Sequence, residues 1–376
     1  MARFADALAR PGLQAIAEVK RRSPSAGDLR PDADPAALAA AFASSGAAAI
    51  SVLVDERFGG RIEDLAAARA ATDAPLLGKG FFTEEDDLRA LKEAGADAIL
   101  LLLRDLDDAR AAELLAYAQS LGLDALVEAH TADEVERAIA LAAPIVGVNA
   151  RDLSTFAIDR AHQLELLARI PTDRIVVAES GVYTRAQGAS AELAGADAIL
   201  VGSALMKAPD PGAKLRELLS RPLVKVCGMT NQDDVDAAVE AGADFIGFIF
   251  AEGSPRQAPA VLDVPETALS VAVFVGDAPA TDADLVQLMN AQEGTVRGRD
   301  GVLLRDGAEV AQFADLPWDG EDPHHYERAR AREGRLMLAG KLGPENVAEA
   351  IRAVEPWAVD AASSLEREPG RKDHAR

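Results

Sequence analysis

The feature that most limits what this chain can fold into is a regular alternation. Between Leu13 and Ser220, short apolar runs and longer helical segments follow one another through eight rounds. LQAIAEV, AAAISVLVD, PLLGKGFF, ADAILLLLRDL, LDALVEAH, PIVGVNARD, RIVVAESGV and ADAILVGSAL read as buried strands, with segments such as PAALAAAFASSG and DARAAELLAYAQSLG as helices between them. Strands separated in this way pair in parallel through right-handed crossovers, and eight such units close a ring. The predicted fold class is α/β, with a (β/α)8 TIM barrel over residues 1–220.

An internal echo supports the reading. The tetrad Ala-Gly-Ala-Asp begins at Ala94, Ala194 and Ala241, each time between a helical and an apolar segment. Glycine just past a helix end takes up the left-handed conformation there, so the tetrads predict one helix-to-strand turn used repeatedly. The third copy predicts that the pattern restarts over 221–376 as a second TIM barrel. VKVCGM, ADFIGFIF, LSVAVFVG, RLMLAGKL and PWAVDAASSLE read as its strands, and QDDVDAAVEAG, DADLVQLMN and PENVAEAIRAV as its helices. Between Gln292 and Gly320 the glycines and charges predict a hairpin. This second barrel is expected to be shortened in its middle and to lack its last helix.

Composition narrows the partners. A net charge of -23 repels nucleic acid and anionic membrane, and aromatics at 4% supply few stacking platforms. No apolar run is long enough for a membrane span, and no basic-then-apolar leader follows Met1. Cys227 is the single cysteine, so no internal disulfide can form. A cytoplasmic monomer acting on small molecules is the expectation.

Polar groups stand where nearly every strand of the first half runs out: Glu18 and Lys20, Ser51, Lys79, Glu128, Asn149 and Arg151, Glu179 and Ser180, Gly202 and Ser203. Catalytic groups of such barrels come from several strand ends at one face. Lysines and arginine neutralise an anionic guest, and a lysine beside another cation can have its pKa lowered for acid catalysis. Glutamates take or return protons, and Ser180-Gly181 and Gly202-Ser203 follow the seventh and eighth strands, where barrels bind phosphate through backbone amides. A phosphorylated substrate is predicted, with no cofactor and no metal.

The strings AEVKRRSPS, ISVL, KGFF, LVEAH, VGVNARDL, AESGV and VGSALM, in that order, resemble indole-3-glycerol phosphate synthase. The resemblance implies decarboxylating ring closure of a carboxyphenylamino-deoxyribulose phosphate. It makes Lys79 the general acid, Glu128 its proton-shuttling partner, and Lys20, aligned by Glu18, the holder of substrate carboxylate or phosphate. Ser23, Asn149, Arg151, Glu179 and Ser180 bind substrate, and Gly181, Gly202 and Ser203 bind phosphate. Gly78 and Gly80 flank Lys79, where that family usually carries arginine and aspartate.

The second half, through VKVCGMT, GFIF with GSPR, VAVFVG, LAGKLGPENV and VDAASSLEREPGRKD, resembles phosphoribosylanthranilate isomerase. The implied activity is an Amadori rearrangement, with Cys227 as general base and Arg256 anchoring the substrate. Asp319 is the candidate acid, with Asp315 and Asp322 as rivals. Lys341 stands after Gly340 where relatives carry a paired glycine. The whole reads as a fused tryptophan-biosynthesis enzyme; the alternative is a synthase whose second barrel only binds or scaffolds.

Overall fold

Eight of the apolar runs close into a ring. In this computed structural model, which describes residues 4–23, 26–152, 155–290, 300–316 and 324–376, strands β1 (Gln14–Val19), β2 (Ala49–Leu53), β3 (Leu76–Lys79), β4 (Ala98–Leu102), β5 (Asp124–Ala129), β6 (Ile145–Asn149), β7 (Ile175–Glu179) and β8 (Ala198–Val201) pair in chain order, all parallel. β8 returns to β1, with Ile16 opposite Leu200. β2 and β4 are buried at every residue, as strands covered on both faces must be.

Helix α1 (Phe4–Leu8) precedes the ring, and α2 (Pro35–Ser44), α3 (Ile62–Ala71), α4 (Glu85–Glu93), α5 (Asp108–Ser120), α6 (Ala132–Ala140), α7 (Arg160–Leu167) and α8 (Arg185–Leu193) follow successive strands. The last crossover is split into α9 (Ser203–Lys207) and α10 (Pro211–Leu219). Outward side chains such as Val52, Leu76, Ile99 and Val127 pack with Leu65, Leu88, Leu114 and Val135 of the helices. Inward ones, Ile16, Leu77, Leu126 and Val177, form a separate cluster with Phe4, Ala7 and Leu8 of α1. Because side chains alternate along a strand, the next inward residue after each of these four is Glu18, Lys79, Glu128 or Glu179. One period-2 pattern therefore builds an apolar floor and, one step further on, a charged rim.

The repeated tetrad does make one turn. Gly95, Gly195 and Gly242 have φ of 98°, 102° and 89°, the region open to glycine. The aspartates that close the tetrads add a second function: Asp97, Asp197 and Asp244 accept the backbone N–H groups of Leu76, Val176 and Val224 at 2.9, 2.8 and 2.8 Å. Each tetrad ties the start of one strand to its neighbour and so helps set the register.

The second unit, Thr184–Gln187 with Ser220–Arg376, is also a closed ring, of β9 (Leu223–Cys227), β10 (Phe245–Ile249), β11 (Leu269–Val275), β12 (Leu285–Met289), β13 (Asp300–Arg305), β14 (Ala308–Asp315), β15 (Leu336–Ala339) and β16 (Ala358–Ala361). Its helices are α11 (Gln232–Glu240), α12 (His325–Arg330) and α13 (Val347–Val354). The segment DADLVQLMN, expected as helix, is instead β12, whose alternating burial is that of a strand. The expected hairpin is observed: β13 runs antiparallel to β12 and to β14. Asp306 and Gly307, with φ of 49° and 80°, form its two-residue turn, the conformation that suits the twist of paired strands. After β16 the chain continues as a short turn and a small hairpin, Glu366–Glu368 with Arg371–Lys372.

Candidate active site

At the carboxyl end of the first ring, Glu18, Lys20, Ser23, Lys79, Glu128, Asn149, Arg151, Ser180, Gly181, Gly202 and Ser203 line one cavity. The space it encloses is about 850 Å³ with its open mouth included. Glu179 lies beneath, fully buried.

Lys79 is the centre of this arrangement. Its ammonium is in close contact with Glu179 and lies 3.4 Å from Glu128 and 3.8 Å from Glu18. Glu18 is itself paired with Lys20 at 2.7 Å. Burial acts to lower the pKa of Lys79, but the three carboxylates outweigh it and hold the ammonium above the ordinary lysine range. The expected lowering by a neighbouring cation is thus reversed, because acids and not bases surround the amine.

The carboxylates differ among themselves. Burial resists ionisation of Glu128, yet Lys79, His130 and Asn149 drive its pKa well below the usual carboxylate range. Burial, with the charge of Glu128, pushes Glu179 up to about 8 despite Lys79. Two carboxyls in one pocket therefore have separated proton affinities, the pattern that assigns acid and base roles.

Glycine makes the packing possible at two points. A Cβ at Gly147 would land on Glu179 Oε1, and one at Gly202 would meet Glu18 Oε1 and Lys20 Nζ. The glycines beside Lys79 prove to be packing positions: a Cβ at Gly78 would enter Leu91, and one at Gly80 the Phe82 ring. Ser180 and Gly181, with φ of 69° and 74°, are consecutive left-handed residues at the rim. Arg21, from the same strand end as Lys20, turns away to Asp64, with contacts of 2.5 and 3.1 Å, and to the Gly59 carbonyl.

Sequence reasoning missed the apolar wall. Phe58 and Phe81 stack with centroids 6.4 Å apart and Arg57 caps Phe81 at 3.9 Å, while Phe156, Leu100 and Leu102 add further apolar lining to the cavity. Phenylalanines near strand ends, in a chain with only 11 of them, were the available signal.

In the second ring, Cys227 ends β9 and is buried; burial pushes its thiol up while Lys225 opposes this. Lys225 is fully buried and reaches Gln287 at 2.8 Å and Asp360 at 3.2 Å. Arg256, expected to anchor substrate, is held by Glu366 through contacts of 2.7 to 2.9 Å. Asp315 ends β14, whereas Asp319 and Asp322 lie outside the described residues. Lys341 takes a left-handed φ of 51° after Gly340. Among the described residues, no His, Cys, Asp or Glu side chains group as ligands for a metal ion.

The family model for indole-3-glycerol phosphate synthase matches residues 1–218. The chain belongs to the indole-3-glycerol phosphate synthase family. It is 46% identical over 217 residues to indole-3-glycerol phosphate synthase 2 of Streptomyces coelicolor, covering 57% of this chain and 84% of that one. It is 49% identical over 208 residues to the synthase of a Nocardioides species, covering 55% and 80%. Residues 325–376 match the model of N-(5'phosphoribosyl)anthranilate isomerase. The solved phosphoribosyl anthranilate isomerase of Thermotoga maritima is 26% identical, with 41% of this chain and 94% of that one covered and a TM-score of 0.32. The chain is therefore a tryptophan-biosynthesis enzyme that joins a synthase-family lyase barrel to an isomerase domain.

Proposed function

We propose that the first barrel closes the indole ring through Lys79 and Glu128, and that Cys227 serves the isomerase reaction of the second. The observation that carries the reading is the position of Lys79, an ammonium that lines the cavity and is ringed by Glu18, Glu128 and Glu179. The substrate phosphate sits against the amides of Gly181, Gly202 and Ser203, and its carboxylate against Lys20. Ser23, Asn149, Arg151 and Ser180 fix its orientation, and the Phe58–Phe81 wall receives the aromatic ring.

Lys79 donates a proton to the ketose oxygen as the ring carbon attacks the carbonyl, so no free alkoxide forms. Carbon dioxide leaves from that ring carbon and restores aromaticity. Lys79, reprotonated from the solvent at the open mouth, gives a second proton to the new hydroxyl, which departs as water, and Glu128, already ionised, takes the proton lost from the adjacent carbon as the indole double bond forms. In the second barrel, Cys227 takes the proton that moves during the Amadori rearrangement, with Lys225 as counter-charge to the thiolate. The acid is Asp319 or one of its rivals, Asp315 and Asp322; of the three, Asp315 ends a strand at the same rim.

A narrower reading keeps only the synthase active. The grip of Glu366 on Arg256 favours it, because the cation is already neutralised. Separate assays decide. Lys79→Met and Glu128→Gln are each expected to lower ring closure at least about 100-fold and to spare isomerisation; Cys227→Ala is expected to do the reverse. Ring closure by Lys79→Met at the wild-type rate would reject the assignment, and isomerisation absent from the wild type would leave the narrower reading standing. The proposal extends to a cytoplasmic monomer, consistent with a single cysteine, and light scattering checks the monomer.

A further inference from the structure

His130 stands directly behind the proposed base. Its Nε2 lies 3.2 Å from Glu128 Oε1 and its Nδ1 3.5 Å from Glu134 Oε2, while its backbone N–H donates to Glu134 at 2.6 Å. Glu134 belongs to the first turn of α6, which Thr131 caps. The imidazole therefore lies within ion-pair distance of two carboxylates, one from its own strand end and one from the helix that follows, with neither ring nitrogen in hydrogen-bond geometry to them. Asn149 on β6, and Lys79 and Glu179 on β3 and β7, lie beyond Glu128; Arg137 acts on Glu134 from the other side.

This position matters because Glu128 and Glu179 share one ammonium. Glu18 has Lys20, which leaves Lys79 to serve two buried carboxyls, and two adjacent carboxylates cannot both ionise cheaply beside one cation. Among the described residues, neither Glu128 Oε2 nor Glu179 Oε1 has a hydrogen-bond donor. A proton on Glu179, directed at Glu128, would satisfy both atoms at once. What places the proton there is the far side of Glu128: its Oε1 takes the Asn149 amide at 3.0 Å and faces the His130 ring.

We propose that His130 is a positioning residue of the ring-closure site, an imidazolium flanked at ion-pair distance by Glu128 and Glu134 that makes Glu128, and not Glu179, the carboxylate charged beside Lys79. The inference rests on the ring-closure reading above and deepens it. Its charge state fits, since Glu128 and Glu134 overcome burial and raise His130 to about 9. Without the imidazolium the proton shifts toward Glu128, so the base is quenched at a higher pH.

The test has one arm that needs no substrate. Nitrogen NMR of 15N-histidine-labelled full-length protein resolves the five histidines, with His130 assigned by its loss in His130→Gln. The His130 ring is expected to stay doubly protonated through neutral pH and to titrate near 9, falling by at least about one unit in Glu128→Gln. In the second arm, His130→Gln keeps a donor but no charge. Its ring-closure kcat is expected to fall about 10-fold with KM held within about twofold, and the acid limb of the kcat profile to move up by about one unit. A wild-type His130 that titrates at or below the free-histidine value, or an acid limb that His130→Gln leaves in place, would overturn the proposal. Failure of the ring-closure reading is seen separately, as undiminished activity in Lys79→Met.

Discussion

At the scale of single residues, the site depends as much on side chains that are missing as on those present. Gly147 and Gly202 leave the space that Glu179 and the Glu18–Lys20 pair occupy. Gly147→Ala and Gly202→Ala are expected to lower ring closure about 100-fold, the scale of loss from misplacing a catalytic group by about an ångström. The melting temperature should move by only a few degrees, because the displaced atoms are side-chain ends. A steady-state assay beside a thermal melt checks this, and wild-type turnover in both variants would refute it. The charged groups themselves were legible in sequence as polar letters at the ends of apolar runs. Their proton affinities were not, since the ordering of Glu128 below Glu179 depends on which neighbours stand on which side. For the same reason Lys79, expected to be a weakened base, is found with its proton held more firmly.

At the scale of elements, legibility followed periodicity. Each strand of the first ring matched an apolar run bounded by helical segments, and the Ala-Gly-Ala-Asp turns marked where helices hand over to strands. The segment that became β12 was misread because five residues, Leu285–Met289, are too few to separate a period of 2 from one of 3.6. The hairpin beside it was visible because Asp-Gly is a turn signal in its own right. Gly307 carries a φ of 80° there. Gly307→Val is expected to cost about 1–2 kcal/mol, the penalty for a branched residue in the left-handed region. A calorimetric scan should show a lowered transition for the second unit while ring closure at 25 °C is unchanged; an unshifted scan would mean that the turn does not limit stability.

At the scale of the whole molecule, the net charge of -23 opposes approach of a substrate that carries both phosphate and carboxylate. The lysines of the cavity act at close range, whereas the overall field reaches a Debye length of about 10 Å at 0.1 M salt. Raising the salt from low to physiological concentration is therefore expected to increase kcat/KM for ring closure severalfold through screening of that repulsion. A steep fall with salt would instead show that Lys20 and Lys79 govern the encounter. Composition disclosed this charge but not its arrangement, because only the closed ring brings Lys20 and Lys79 to one rim from positions 59 residues apart in the chain.

The reversed strand β13 has a consequence for where new chemistry can arise in the second unit. A wall of staves is watertight whichever way one plank is turned, since its hydrogen bonds to both neighbours are still made. The turned plank, however, offers its leading end, at Asp300, to the rim where its neighbours offer their trailing ends. Substitutions at the Asp300 end of that strand should therefore reshape the rim, whereas the Asp306-Gly307 turn faces the opposite side and is free to change only within the demands of its own bend.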